Sequence, residues 1–132
     1  NIETITKAEI ILVGVSRTSK TPTCIYLANQ GIKAANIPLV PNQGLPKFDK
    51  NKDLTVIALI TTPQNLVEVR KKRAIELGLD PKKDEYTNIN SVTKEIDDAK
   101  RLFNKMGWPT IDTTRRSVEE TAAAIMSIRA QE

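Results

Sequence analysis

The sequence predicts an α/β fold, a parallel sheet with helices on both faces. Three observations carry this. Two short runs, EIILVGV (residues 9–15) and LTVIALI (residues 54–60), are continuously apolar and rich in β-branched residues, the composition of strands buried on both sides. After each comes a segment with helix-start signals that closes on a glycine, Gly31 or Gly78. Strands alternating with helices build βαβ units, which set the strands parallel.

The elements follow in chain order. Residues 9–15 form the first strand, too short for a helix. A polar loop leads into a helix over residues 21–30, with Pro22 in its first turn, where a missing N–H costs least. Residues 35–40 read as a second strand, and Pro38 within it argues for a sheet edge or a strand terminus. PNQGLP at 41–46 has loop chemistry. Residues 54–60 are the clearest buried strand. Thr62 then offers an N-cap and Pro63 a first-turn proline for a helix ending at Gly78. Residues 80–90 are polar and irregular. A helix opens at Ser91, runs to Met106 and stops at Gly107. A short strand at 109–112 and a capping-box sequence, SVEE at 117–120, introduce the last helix. No repeat, low-complexity tract or linker interrupts the chain, so residues 1–132 are expected to form one domain.

Composition narrows the chemistry. A chain of 132 residues, 39 % apolar and 27 % charged, has the make-up of a soluble globular domain that can bury about two thirds of its unfolded surface. No apolar run approaches the ~18 residues of a membrane span, and none resembles a signal peptide. The net charge of +4, from 20 Lys plus Arg against 16 Asp plus Glu, suits an anionic ligand but lacks the clustering of a nucleic-acid surface. Neither nucleic acid nor membrane is expected as a partner. The first residue is Asn1 rather than Met, as in a fragment or a processed product. The single cysteine, Cys24, allows no internal disulfide, fits a reducing cytoplasm and reads as a small core residue. Histidine is absent, which removes imidazole acid–base catalysis, Ser-His-Asp triads and histidine metal ligation. Carboxylates, lysine, arginine, hydroxyls and backbone amides remain.

One segment assembles those groups. Between the first strand and the first helix runs GVSRTSKT, residues 14–21. The phosphate-loop pattern is G-x-x-x-x-G-K-[ST]. Gly14, Lys20 and Thr21 stand at the required spacing, with Ser19 in place of the second glycine. Backbone N–H groups of such a loop curl around an anion, helped by the helix N-terminal dipole. Lys20 adds a charge for the terminal phosphate, and the Thr21 hydroxyl can reach a phosphate-bound Mg²⁺. A left-handed backbone at Ser19 would cost about 1 kcal/mol, which side-chain hydrogen bonds from Ser16, Thr18 and Ser19 could offset. The plainer reading is a polar turn with a capping threonine. With this loop the expected fold becomes phosphate-loop NTPase-like.

Other candidates cluster near a second strand end. Asp112 closes the strand at 109–112, and ligands of open α/β sheets sit at the carboxyl ends of strands. It could order Mg²⁺ through water or accept a proton, or merely cap a turn. Arg115 and Arg116 follow, and a guanidinium there could clamp a phosphate. No acidic residue ends the strand at 54–60; Thr61 and Thr62 stand there. Arg70 and Arg73 share a helix face and read as a solvated surface, alternatively as a lid or docking patch. Trp108 and Tyr86 read as packing or interface residues. Asn51-Lys52-Asp53 is one residue short of the guanine-reading N-K-x-D pattern and precedes a strand, so it is set aside.

VGVSRTSKTPTCIYLANQGIKAANIPLVP (13–41) resembles the phosphate-loop region of the regulatory proteins of pyruvate, phosphate dikinase and phosphoenolpyruvate synthase. LVEVRKKRAIELG (66–78), EIDDAKRLFNKMGWPTIDTTRRSVEETAAAI (95–125) and PNQGLP fit the same family. That family is longer at its N-terminus, so the chain resembles its C-terminal domain. The resemblance implies a bifunctional cytoplasmic enzyme. One activity uses ADP to phosphorylate, and so inactivate, a threonine of the dikinase or synthase. The other uses inorganic phosphate to remove that group, releasing pyrophosphate. The resemblance assigns nucleotide binding to Gly14, Val15, Ser16, Arg17, Thr18, Ser19, Lys20 and Thr21. Combined with the residue reading, Lys20 and Asp112 become the expected catalytic residues, Thr21 the expected Mg²⁺ contact, and Arg115 and Arg116 phosphate contacts. The oligomeric state stays open, a homodimer included. Two rivals belong to other classes: a small-molecule kinase, and a non-catalytic nucleotide-sensing domain.

Overall fold

The computed structural model describes residues 8–39, 54–82 and 85–131. PNQGLP and Asn51-Lys52-Asp53 lie outside them. Four strands form one parallel sheet in the order β2-β1-β3-β4, with β1 at Ile10–Val15, β2 at Ala34–Leu39, β3 at Thr55–Ile60 and β4 at Thr110–Asp112. The described residues also form four helices, α1 at Lys20–Asn29 between β1 and β2, α2 at Pro63–Glu76 and α3 at Ile89–Met106 between β3 and β4, and α4 at Val118–Ala130 after β4. A 3₁₀ turn at Glu85–Thr87 precedes α3.

The continuous apolar runs are buried on both faces, as parallel strands flanked by helices must be. Ile11, Val13 and Val15 of β1 pack with Val56 and Ala58 of β3 against Leu66 and Val67 of α2 and Ile96 and Phe103 of α3. On the other face, Ile10, Leu12, Ile57, Leu59 and Ile111 meet Cys24 and Leu27 of α1 and Ala122 and Ile125 of α4. Alternate side chains of each strand serve opposite cores, the period of two that strand geometry imposes. Burial raises the Cys24 thiol to about 11, so this cysteine is an inert core residue.

Boundaries agree closely with the sequence signals. Pro38 lies in β2, an edge strand opposite Gly14. The Thr62 hydroxyl accepts from the N–H of Asn65 at 3.2 Å, and Ser117 and Glu120 form a reciprocal capping box. The α3 helix begins two residues earlier than Ser91. The Asn88 side chain caps it, accepting from the N–H groups of Asn90 and Ser91, because a short amide side chain competes well with serine for that role. Trp108 is buried beside Phe103, ring centres 6.1 Å apart, in keeping with a packing residue. No helix among the described residues is long and apolar enough to cross a membrane.

All four strands run parallel, so Val15, Ile60 and Asp112 end at the same edge of the sheet. That edge is where chemistry can collect.

Candidate phosphate-binding site

β1 ends at Val15 and α1 begins at Lys20, leaving four residues to turn the chain. Gly14 admits the turn because a side chain there would collide with the neighbouring strand. A Cβ on Gly14 would lie 2.7 Å from the Leu59 carbonyl oxygen and 3.0 Å from Thr18 Oγ1. Gly14→Ala is therefore expected to cost about 1–3 kcal/mol of stability through forced displacement and to weaken nucleotide binding. Thermal unfolding and calorimetric titration with ADP check both effects. Unchanged values would mean that β3 yields to the methyl group without disturbing the loop.

The loop takes the strained form anticipated for Ser19. Ser19 has φ 65° and Arg17 φ 69°, while Thr18 between them does not share the positive sign. Left-handed residues within a turn are the backbone element from which anion-receiving nests are built. Thr18 steadies the loop, its hydroxyl donating to the Val15 carbonyl at 2.8 Å. Ser19, by contrast, makes no side-chain cap bond, and the first turn of α1 holds no acidic residue. The other three helices each have a side-chain cap. Among the described residues, the amide end of α1 therefore lacks the anionic or side-chain acceptor that usually balances it.

Lys20 is buried, 6 % exposed. Its ammonium donates to the Val15 carbonyl at 2.6 Å and to Thr18 Oγ1 at 3.3 Å. Both acceptors are neutral. Burial lowers the ammonium to about 8, Cys24 and Glu95 opposing the shift and Arg70 adding to it, so near pH 7 it remains mostly charged. A buried cation held by neutral acceptors favours a bound anion. Thr21 is exposed at the start of α1, where Asn36 Nδ2 donates to its hydroxyl at 3.5 Å.

Beside the loop, the carboxyl ends of β3 and β4 carry a hydroxyl network. Thr61 Oγ1 lies 2.8 Å from Thr114 Oγ1 and accepts from Asn65 Nδ2 at 2.7 Å. The N–H of Thr62 donates to Thr114 Oγ1 at 3.1 Å. Asp112 is exposed, one carboxylate oxygen accepting from the N–H of Thr114 at 2.8 Å. It thus caps a turn while standing on the same sheet edge as the loop, two strands away. Arg115 and Arg116 are exposed on the connection to α4, Arg115 with φ 62°.

Arg70 corrects the expectation of a solvated face. It is 1 % exposed, and Glu95 pairs with both of its terminal nitrogens at 2.8 and 2.9 Å. The guanidinium lies 4.2 Å from the Tyr86 ring centre. One terminal nitrogen donates to Tyr86 O at 3.2 Å, and the other donates to Ser16 Oγ at 3.1 Å. Two groups unremarked in the sequence, Glu95 and the Tyr86 hydroxyl, thereby join the loop. The signal was spacing: Leu66, Val67, Arg70 and Ala74 form the buried face of α2, so an arginine at the position of a core residue needed a buried partner.

Comparison of the sequence with known proteins places it among close relatives. A family model described as Kinase/pyrophosphorylase matches residues 1–126. A relative from Pelagibacter ubique, named as a pyruvate, phosphate dikinase regulatory protein, is 55 % identical over 129 residues, 96 % of this chain and 47 % of its own. Relatives of the same name from Caulobacter vibrioides and Bradyrhizobium diazoefficiens are 49 % and 50 % identical, over 94 % and 97 % of this chain and 39 % and 46 % of theirs. The chain thus spans about half the length of the curated relatives it matches. With a family match across nearly its whole length and relatives about half identical over almost all of it, the chain belongs to the kinase/pyrophosphorylase family.

Proposed function

We propose that the chain is the nucleotide-binding part of a cytoplasmic regulatory phosphotransferase acting on pyruvate, phosphate dikinase or phosphoenolpyruvate synthase. In one direction a threonine hydroxyl of the target attacks the terminal phosphorus of ADP, giving phosphothreonine and AMP. In the other, a phosphate oxygen attacks the phosphothreonine phosphorus, restoring threonine and releasing pyrophosphate. The carrying observation is the buried Lys20 ammonium, which among the described residues bonds only to neutral acceptors, at the start of a helix with no side-chain cap. The names of the relatives support pyruvate, phosphate dikinase as the target.

Both directions move a phosphoryl group between oxygens, so the protein must mainly position reactants and neutralise charge. Loop amides of residues 14–21 and Lys20 hold the transferring phosphate. Asp112 accepts the threonine proton at the carboxyl edge of β4, and Arg115 and Arg116 supply further positive charge. Mg²⁺, where bound, would screen the phosphate oxygens, with the exposed Thr21 hydroxyl the side chain suited to hold it.

The test incubates full-length protein with each target and either ADP or ATP, then maps phosphorylation by mass spectrometry. Threonine phosphorylation with ADP, reversed by phosphate with pyrophosphate release, is the expected result. Absence of transfer in both directions, or turnover only on a small molecule, overturns the reading.

A further inference from the structure

We infer that Arg70 is a positioning residue for the phosphate loop: clamped by Glu95 and stacked on Tyr86, it holds Ser16 and so sets the direction of the loop amides. This rests on reading residues 14–21 as a phosphate site.

Arg70 has few donors left for a ligand. One terminal nitrogen serves Glu95 Oε1 and Tyr86 O; the other serves Glu95 Oε2 and Ser16 Oγ, with the Ser16 carbonyl at 3.5 Å. A guanidinium has four N–H groups on its terminal nitrogens, and these acceptors occupy them. Only Nε lacks a partner. Direct phosphate binding would require breaking a buried bidentate pair. The architecture favours action through Ser16. Ser16 is held from a second side as well, its Oγ 3.2 Å from the Tyr86 hydroxyl. The segment around Ser16 is where support matters most. Arg17, immediately after it, adopts a left-handed conformation, one a non-glycine residue keeps only when its surroundings impose it. Glu95, on α3, and Arg70, on α2, therefore pin the loop to the pair of helices on one face of the sheet.

Lysine cannot replace this device, because a single ammonium cannot span two carboxylate oxygens, a carbonyl and a hydroxyl in one plane. Arg70→Lys is expected to weaken ADP binding by full-length protein about 10- to 100-fold, the range for lost supports around a binding site. The decisive measurement is a double-mutant cycle on the ADP dissociation constant with Ser16→Ala, Arg70→Lys and the pair, read well below each melting temperature. If Arg70 acts through Ser16, the double variant binds about as weakly as the weaker single variant. Multiplicative losses, or an Arg70→Lys protein that binds ADP like wild type while merely melting earlier, overturn the inference. Should Arg70→Lys fail to fold, Tyr86→Phe removes the second hold on Ser16 while keeping the ring under the guanidinium. A loss of about threefold is then expected, and an unchanged constant overturns the inference. Wild-type protein that binds no ADP would instead defeat the phosphate-site reading itself.

Discussion

Lys20→Ala is expected to lower kcat/KM in both transfer directions by about 10²- to 10³-fold, the loss of a few kcal/mol of charge-assisted contact in a dry site. Folding should survive. The substitution removes two hydrogen bonds, but the Val15 carbonyl keeps its bond from Thr18. It also removes a buried cation. Burial lowers the lysine from 10.5 to about 8, so holding the charged form in the folded chain costs roughly 3 kcal/mol below pH 8. That cost is relieved as pH rises from about 8 to 10.5, where the unfolded chain keeps the proton and the folded one loses it. Loss of hydrogen bonds and relief of burial work in opposite directions, so the melting temperature should move little near neutrality.

The same group sets a pH dependence. Above about 8 the free protein loses the Lys20 charge, whereas a bound anion favours keeping it. ADP affinity should therefore fall by up to about tenfold per pH unit above that point. A phosphate group's last ionisation lies near 6, so ADP itself adds nothing there. In Lys20→Ala the slope should vanish. Calorimetry between pH 7 and 9.5 on both proteins reads it directly, and equal slopes would free Lys20 of any role in anion binding.

Asp112→Asn is expected to reduce transfer to threonine by about 10²- to 10⁴-fold, the range for a lost general base, with little change in ADP affinity or melting temperature. The asparagine oxygen can still accept the 2.8 Å bond from the N–H of Thr114, so the turn after β4 is preserved while the charge is lost. A kcat within a few-fold of wild type would confine Asp112 to turn capping. A collapse of stability would do the same, since an exposed carboxylate serving chemistry should be dispensable for folding.

Much of the fold was legible because its signals are local. Apolar runs too short for helices, prolines in first turns and glycines after last turns each act within a few residues. The loop between β1 and α1 was legible for the same reason, its glycine, lysine and threonine lying within eight residues of chain. Even the strain at Ser19 could be anticipated, since only backbone geometry is involved.

Tertiary structure decided what depends on distant partners. Arg70, in a run of four basic residues, reads as a solvated face until α3 brings Glu95 and the turn before it brings Tyr86, 25 and 16 residues further on. Desolvating a guanidinium is costly unless its donors are met, and no local pattern reveals who meets them. Asp112 likewise became a neighbour of the loop edge only through the strand order β2-β1-β3-β4. By itself, then, the sequence determined the strands, the helices and the loop that joins β1 to α1, which local backbone preferences and burial patterns specify. Which side chains gather around that loop was decided by strand order and helix packing, because contacts across tens of residues come from the assembled core.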